Sequence, residues 1–315
     1  MPAALPSRRA IDGVLLLDKP SGITSNAALQ TARRLLAARK AGHTGTLDPM
    51  ASGLLPLAFG EATKFSQMLL DADKVYEAGI RLGIQTDTGD TEGRIISTRP
   101  VDLDETRLHT VLTRFTGELE QTPPMHSALK RDGKPLYEYA RAGIEVERAP
   151  RRVTISELTL LALQLQKDRF VLRVACSKGT YIRTLAMDIG EALGCGAHLD
   201  ALRRTRIGNF DISGSVTLDM IEATPPEQRD ALLAPADTLL RDFPKLELEN
   251  TAARLILQGQ PLAPVPATSG EIAPGNCVRL YGPDGFLGLG QWKEDGRLWP
   301  KRLIASDAAM LSEDS

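Results

Sequence analysis

No apolar run in the sequence approaches the roughly 18 residues that a membrane-spanning helix needs, so a protein of that kind is not expected. The first residues, MPAALPSRRAIDG, lack the long apolar core of a secretory signal. Cysteine is scarce. Cys176, Cys195 and Cys277 show no CxxC spacing and leave an odd number, which argues against a disulfide framework and a zinc motif alike. The four histidines, His43, His109, His126 and His198, are scattered and supply no ligand pair at helical spacing. Internal repeats and long low-complexity tracts are absent too. Together these gaps suggest a cytoplasmic protein that works without a metal.

What is present is an ordinary globular composition, 42% hydrophobic and 25% charged over 315 residues. That length suits one large domain, or a large one with a small companion. A net charge of −2 argues mildly against a generic nucleic-acid binder. The average hides clusters, however: Arg33, Arg34, Arg39 and Lys40; Lys130, Arg131 and Lys134; Arg148, Arg151 and Arg152; Arg203, Arg204 and Arg206. An acidic tail over residues 306–315, with Asp307, Glu313 and Asp314, offsets part of them. Any one cluster is an ordinary solvated face, whereas four of them around candidate site segments also fit a polyanion footprint.

Residues 39–65, RKAGHTGTLDPMASGLLPLAFGEATKF, organise the chain. They set one carboxylate, Asp48, in a Gly- and Thr-rich loop and follow it with Pro49, which pushes Asp48 out of the helical region. Gly42 precedes the loop after a helical run, and the apolar residues 54–59 follow it as a strand. A carboxylate on a loop between regular elements suits catalysis. An Asp-Pro pair alone is also plain turn chemistry.

Around that loop the periodicities alternate. Residues 11–17 read as a strand ended by the turn Asp18-Lys19-Pro20-Ser21-Gly22, where Lys19 is either a solvated turn lysine or a partner for a carboxylate or phosphate. Ser25 offers an N-cap to a helix carrying Ala28, Leu29, Ala32, Leu35 and Leu36 on one stripe, with Gly42 as its stop. After a helix near residues 62–70, Tyr76, Ala78, Ile80 and Leu82 alternate as in a half-buried strand, and by spacing Tyr76 is a core residue. Thr86-Asp87-Thr88-Gly89-Asp90 has too few carboxylates for a metal loop and is assigned to turn chemistry. Residues 121–152 interleave basic and tyrosine side chains with one short helix over 136–141, a mixture that suits RNA or an ordinary exposed insertion. A strand over residues 170–177 leads to a helix starting near Tyr181 and closed by Gly194. Arg183 in its first turn opposes the helix dipole, so an anionic partner is expected. A boundary falls near residue 240, followed by a helix over 250–257 and by short apolar runs over 278–303, separated by turns as in a small β-barrel.

Four stretches then carry a resemblance: GVLLLDKPSGITS from Gly13, GHTGTLDPMASGLLPLAFGEATKF from Gly42, KVYEAGIRLG from Lys74 and CSKGTYIRTLAMDIGEALGCGAHLDALRR from Cys176. Together they resemble the TruB family of bacterial tRNA pseudouridine-55 synthases, over residues 11–305. QTPPMHSALKRDGKPLYEYAR resembles that family's RNA-gripping insertion. The resemblance implies an α+β fold, with a mixed-sheet pseudouridine-synthase catalytic domain over residues 1–240, its insertion over 121–152, and a small PUA-like domain over 241–315. It implies isomerisation of one uridine in the T-loop of tRNA to its C-glycoside, without cofactor or metal, by a monomer with no obligatory protein partner.

Such chemistry requires everting the base into a pocket. Carried over residue by residue, Asp48 is the expected nucleophile and Arg183 its partner, keeping it ionised and aimed. Tyr76 stacks on the everted base and is a candidate for a late proton transfer. Tyr181 lies across the pocket, the Leu202 backbone reads the uracil edge, His43 helps fill the gap left in the RNA, and Lys19 supports the site by its charge. Cys176 and Cys195 are expected to pack rather than react. The alternative is an RNA-binding or tRNA-folding helper without essential chemistry. An aspartyl-phosphate enzyme would need a phosphate-cradling loop and magnesium ligands, neither of which is evident.

Overall fold

The computed structural model describes residues 8–263 and 273–304, so the acidic tail lies outside the described residues. A mixed sheet forms the larger part. Its strands are β1 (Gly13–Lys19), β2 (Ala41–His43), β3 (Ser52–Phe59), β4 (Lys74–Leu82), β5 (Gly117–Gln121), β6 (Arg151–Gln164), β7 (Arg169–Cys176) and β8 (Ala197–Ile207). The spatial order is β1-β3-β8-β4-β7-β6-β5, with β2 beside the end of β3. Every neighbouring pair on that path is antiparallel except β3 with β8, which meet in parallel over two residue pairs only.

The two halves of the sheet explain two sequence patterns. In β1 and β3, Leu15, Leu17, Leu55, Leu57 and Phe59 face the main core, while Val14, Leu54 and Ala58 face a second cluster on the other side. Strands covered on both faces read as unbroken apolar runs, hence LLLD and LLPLAF. In β4 and β7 only one face is covered: Ala78, Ile80, Leu172 and Val174 are buried, whereas Glu77, Arg81 and Arg173 lie on the other face. That half alternates.

Helices α1 (Ser25–Leu35), α2 (Glu105–Arg114) and α4 (Ile182–Ala192) pack on the main-core face, and α3 (Leu136–Arg141) lies in the insertion. The N-cap of α1 is Thr24, whose hydroxyl accepts the Ala27 N–H at 3.0 Å, and not Ser25 as expected. Ser25 is instead the first helical residue; its hydroxyl accepts the Leu47 N–H at 2.8 Å and donates to the Leu47 carbonyl at 3.0 Å. That exchange ties α1 to the loop carrying Asp48. Gly42 does not stop α1 either; the chain leaves the helix through Ala37, in the left-handed region at φ 49°, and Gly42 belongs to β2. The expected helix near residues 62–70 is a 3₁₀ turn, Gly60–Phe65, followed by one helical turn, Gln67–Leu70.

A second sheet follows: β9 (Lys245–Glu247), β10 (Cys277–Gly282), β11 (Gly285–Trp292) and β12 (Leu298–Leu303), in that order, with α5 (Asn250–Leu257) packed on it. An isolated antiparallel pair, Leu262 with Leu298, continues beyond β12. The described strands thus form an open four-stranded sheet. It is joined to the larger part by Phe286 packed edge-on against Phe65 at 5.6 Å and by Lys64 Nζ donating to the Leu303 carbonyl at 2.8 Å.

Candidate active site

Asp48 sits between β2 and β3, on irregular backbone. The loop is fastened from two sides. Ser25 holds Leu47, as above, and Lys19, at the end of β1, has no solvent exposure. The Lys19 ammonium donates to the carbonyls of Pro20 at 2.9 Å, Ile23 at 2.7 Å and Pro49 at 3.4 Å. Of the two readings of Lys19, burial removes the solvated turn lysine: Lys19 is a buried clamp on the residue after Asp48. Burial pushes its ammonium down to about 8, against the opposing attraction of Asp48.

Arg183 brings the other side of the site. It enters from the first turn of α4, is 5% exposed, and places Nε 3.0 Å from Asp48 Oδ2 and 3.5 Å from Asp90 Oδ2. Its Nη1 donates to the Thr88 carbonyl at 3.1 Å and its Nη2 to the His126 carbonyl at 2.7 Å. A cation that opposes the helix dipole is thus balanced by two carboxylates and two carbonyls. The contact with Asp48 is one-pronged; the rest of the guanidinium holds the turn before Asp90 and the root of the 121–152 insertion. Burial pushes the Asp48 carboxyl above the ordinary carboxylate range, and Asp90 adds to this, while Arg183 and Lys19 oppose it.

The carboxylate opens on a cavity of roughly 370 Å³. Tyr76, Tyr181 and Leu202 line it along with Asp48 and Arg183, so the fold gathers these five expected residues in one place. Tyr76 comes from near the start of strand β4, and Leu202 from β8 opposite Ala78. Tyr181 caps α4; its N–H donates to Gln121 Oε1 at 3.0 Å, and Gln121 is itself buried. Lys19 and His43 do not line the cavity: the first lies behind the loop and the second in β2, where its Nδ1 is buried without a partner. Burial and the positive charge of Arg204 lower the His43 imidazole. Cys176 and Cys195 are 1% and 5% exposed, in the main core.

The sequence is matched by models of three segments in one order: the N-terminal domain of the TruB family pseudouridylate synthases over residues 33–182, the tRNA pseudouridylate synthase B C-terminal domain over 183–241, and the pseudouridine synthase II TruB C-terminal segment over 244–304. The tRNA pseudouridine synthase B of Azoarcus sp. (strain BH72) is 63% identical over 299 residues, covering 95% of this chain and 97% of the relative. The chain belongs to the TruB family. The corresponding protein of Aromatoleum aromaticum is 61% identical, over 96% of this chain and 95% of that one. Among solved structures, an H/ACA RNP bound to a substrate RNA containing 2′-deoxyuridine superposes with TM-score 0.71 at 27% identity, covering 93% of this chain and 85% of that chain. A Cbf5–Nop10–Gar1 complex gives 0.68 at 31% identity, over 89% and 78%.

Three polar residues of this TruB-family site were not singled out from sequence as site residues. Asp90 had been assigned to turn chemistry; it is 3% exposed, accepts from Thr88 Oγ1 at 2.6 Å and the Glu92 N–H at 3.0 Å, and shares Arg183 with Asp48. Lys74 lines the cavity, with its ammonium on the Leu70 carbonyl at 2.8 Å. Arg204, read only as part of a basic cluster, is 2% exposed and lines the same cavity. The one available signal was the two-residue spacing from Leu202 to Arg204, which puts both on the same inward face within the regular stretch of β8 between its two irregularities. Among the described residues no group of three His, Cys, Asp or Glu is placed to hold a metal ion, and no helix is long and apolar enough to cross a membrane.

Proposed function

We propose that this chain isomerises uridine-55 in the T-loop of tRNA to pseudouridine, with Asp48 as nucleophile. The observation that carries this is a single carboxylate at a cavity of roughly 370 Å³, held 3.0 Å from a buried guanidinium and lined by two tyrosines. That volume suits one everted pyrimidine nucleotide, and eversion is how enzymes reach a base inside folded RNA, at a cost of a few kcal/mol. In the reaction the N1–C1′ bond breaks, the uracil turns within the pocket and the C5–C1′ bond forms. The C5 proton leaves, and N1 gains one. Asp48 bonds covalently to the everted nucleotide and leaves again. Arg183 holds Asp48 ionised and aimed despite burial, Tyr76 stacks on the base and takes part in proton transfer, and Tyr181 closes the opposite wall. The Leu202 backbone reads the uracil edge, while Lys19 holds the loop. His43 acts outside the pocket, against the RNA that the base has left.

The wider reading follows from the substrate. Residues 1–240 form the catalytic domain, and residues 241–315 a PUA-like RNA-binding domain. The enzyme acts in the cytoplasm as a monomer, on the T-arm stem–loop, with no cofactor and no obligatory protein partner. Release of tritium from a T-arm stem–loop carrying 5-tritiated uridine, with EDTA present, tests the assignment. Asp48→Asn is expected to abolish release while RNA binding survives. Continued release from that variant would overturn the nucleophile. Its absence from the wild-type chain, with binding intact, would favour the RNA-folding helper.

A further inference from the structure

We propose that Arg204 is a positioning residue for Tyr76, holding the tyrosine hydroxyl toward the pocket for the late proton transfer with the everted base. Arg204 and Tyr76 are direct cross-strand partners of β8 and β4, and both line the cavity. The guanidinium is anchored: Nε donates to the Leu54 carbonyl at 2.8 Å, and Nη1 reaches the Thr46 carbonyl at 3.5 Å, two residues before Asp48. Its backbone is fixed as well, because β3 and β8 touch at Gly53, where an added Cβ would meet the Arg204 carbonyl oxygen at 2.3 Å.

Two features of Arg204 have no structural explanation within that anchoring. Its Nη2 is out of reach of solvent and has no hydrogen-bond partner at good geometry, although the Arg204 side chain lies close enough to Tyr76 to act on its hydroxyl. Among the described residues no carboxylate lies within 4.0 Å of it, although a buried charge without a counterion is costly. Tyr76 gives both features a use. A guanidinium only donates, so a tyrosine oxygen facing it must accept, and its O–H then points elsewhere, here to the pocket. The same charge opposes the rise in pKa that burial imposes on the Tyr76 phenol and favours its phenolate, the form that can take the C5 proton and so return to the phenol.

The inference rests on the proton role given to Tyr76 above, and a double-mutant cycle separates the two. Tyr76→Phe is expected to lower kcat for tritium release by roughly 10²-fold or more. Arg204→Gln, which keeps an N–H donor but loses the charge, is expected to lower kcat at least tenfold, with KM and RNA affinity within about twofold. Added to Tyr76→Phe, it should then cost almost nothing further. A normal kcat in Tyr76→Phe overturns the proton role, and the inference with it. An equal kcat penalty for Arg204→Gln in both backgrounds overturns the inference alone. So does a raised KM at unchanged kcat, the signature of a phosphate-gripping arginine. Should Arg204→Gln fail to fold, a crystal structure of the wild-type chain with a T-arm stem–loop decides. Nη2 is expected within about 3.2 Å of Tyr76 Oη, and a separation beyond about 4 Å overturns the assignment.

Discussion

The pocket and the 121–152 insertion use the same residue types in opposite ways. Around Asp48 the cations are hidden: Lys19, Arg204 and Arg183 are 0, 2 and 5% exposed, and each is tied to backbone carbonyls. In the insertion Lys130, Arg131, Lys134 and Arg141 are exposed and Leu136 is a buried apolar anchor. Its contacts are mostly internal, such as Lys134 over the Tyr139 ring at 4.9 Å and Arg141 over Tyr137 at 5.3 Å. A desolvated charge aims chemistry, because its field is unscreened and its geometry fixed, whereas a solvated one gathers polyanion with little geometric demand. Arg183 joins the two regions through its side chain, beside the Tyr181–Gln121 hydrogen bond. Arg183 holds the nucleophile with one nitrogen and the root of the insertion, at His126, with another.

That comparison can be broken at graded cost. Replacing the nucleophile, Asp48→Asn, is expected to remove tritium release altogether. Arg183→Lys should follow, with kcat down by on the order of 10²-fold, because an ammonium cannot hold Asp48, Thr88 and His126 together. Near-normal turnover in that variant would sink the pairing. In the insertion, replacing Lys130, Arg131 and Lys134 together by alanine should leave kcat unchanged. Affinity should weaken and the slope of log affinity against log salt should shrink by about two. A lost kcat with unchanged salt dependence would erase the distinction between the regions.

A smaller effect is expected from pH. With the Lys19 ammonium lowered to about 8, activity should decline above that pH as the clamp loses a donor, and Lys19→Arg should carry activity to higher pH. The folded state gives up this proton before the unfolded chain does. Between about 8 and the ordinary value of 10.5 its contribution to stability therefore rises with pH. The decline should accordingly appear in kcat and not in Tm. The least effect belongs to the cysteines. Cys176 is buried and its thiol is pushed up to about 11, so iodoacetamide at neutral pH is expected to leave activity intact; inactivation that tRNA prevents would place a reactive thiol in the site.

Residue order alone was enough for the strands around Tyr76 and Leu172, for the helices over 136–141 and 250–257, and for an anionic partner to Arg183; that this partner is Asp48 came from the family resemblance. Periodicity, turn chemistry and a charge at the wrong end of a helix are local signals. It misplaced the cap of α1, since Thr24 and Ser25 are both competent caps and only the packing of Leu47 assigns each its role. It could not tell a buried lysine from a solvated one at position 19, nor lift Asp90 out of turn chemistry, nor separate Arg204 from its basic neighbours. Those distinctions depend on what stands opposite each side chain once residues 150 positions apart are brought together, as Arg204 and Leu54 are. Burial is a property of the assembled sheet, and it is burial that turns an ordinary charge into part of a site.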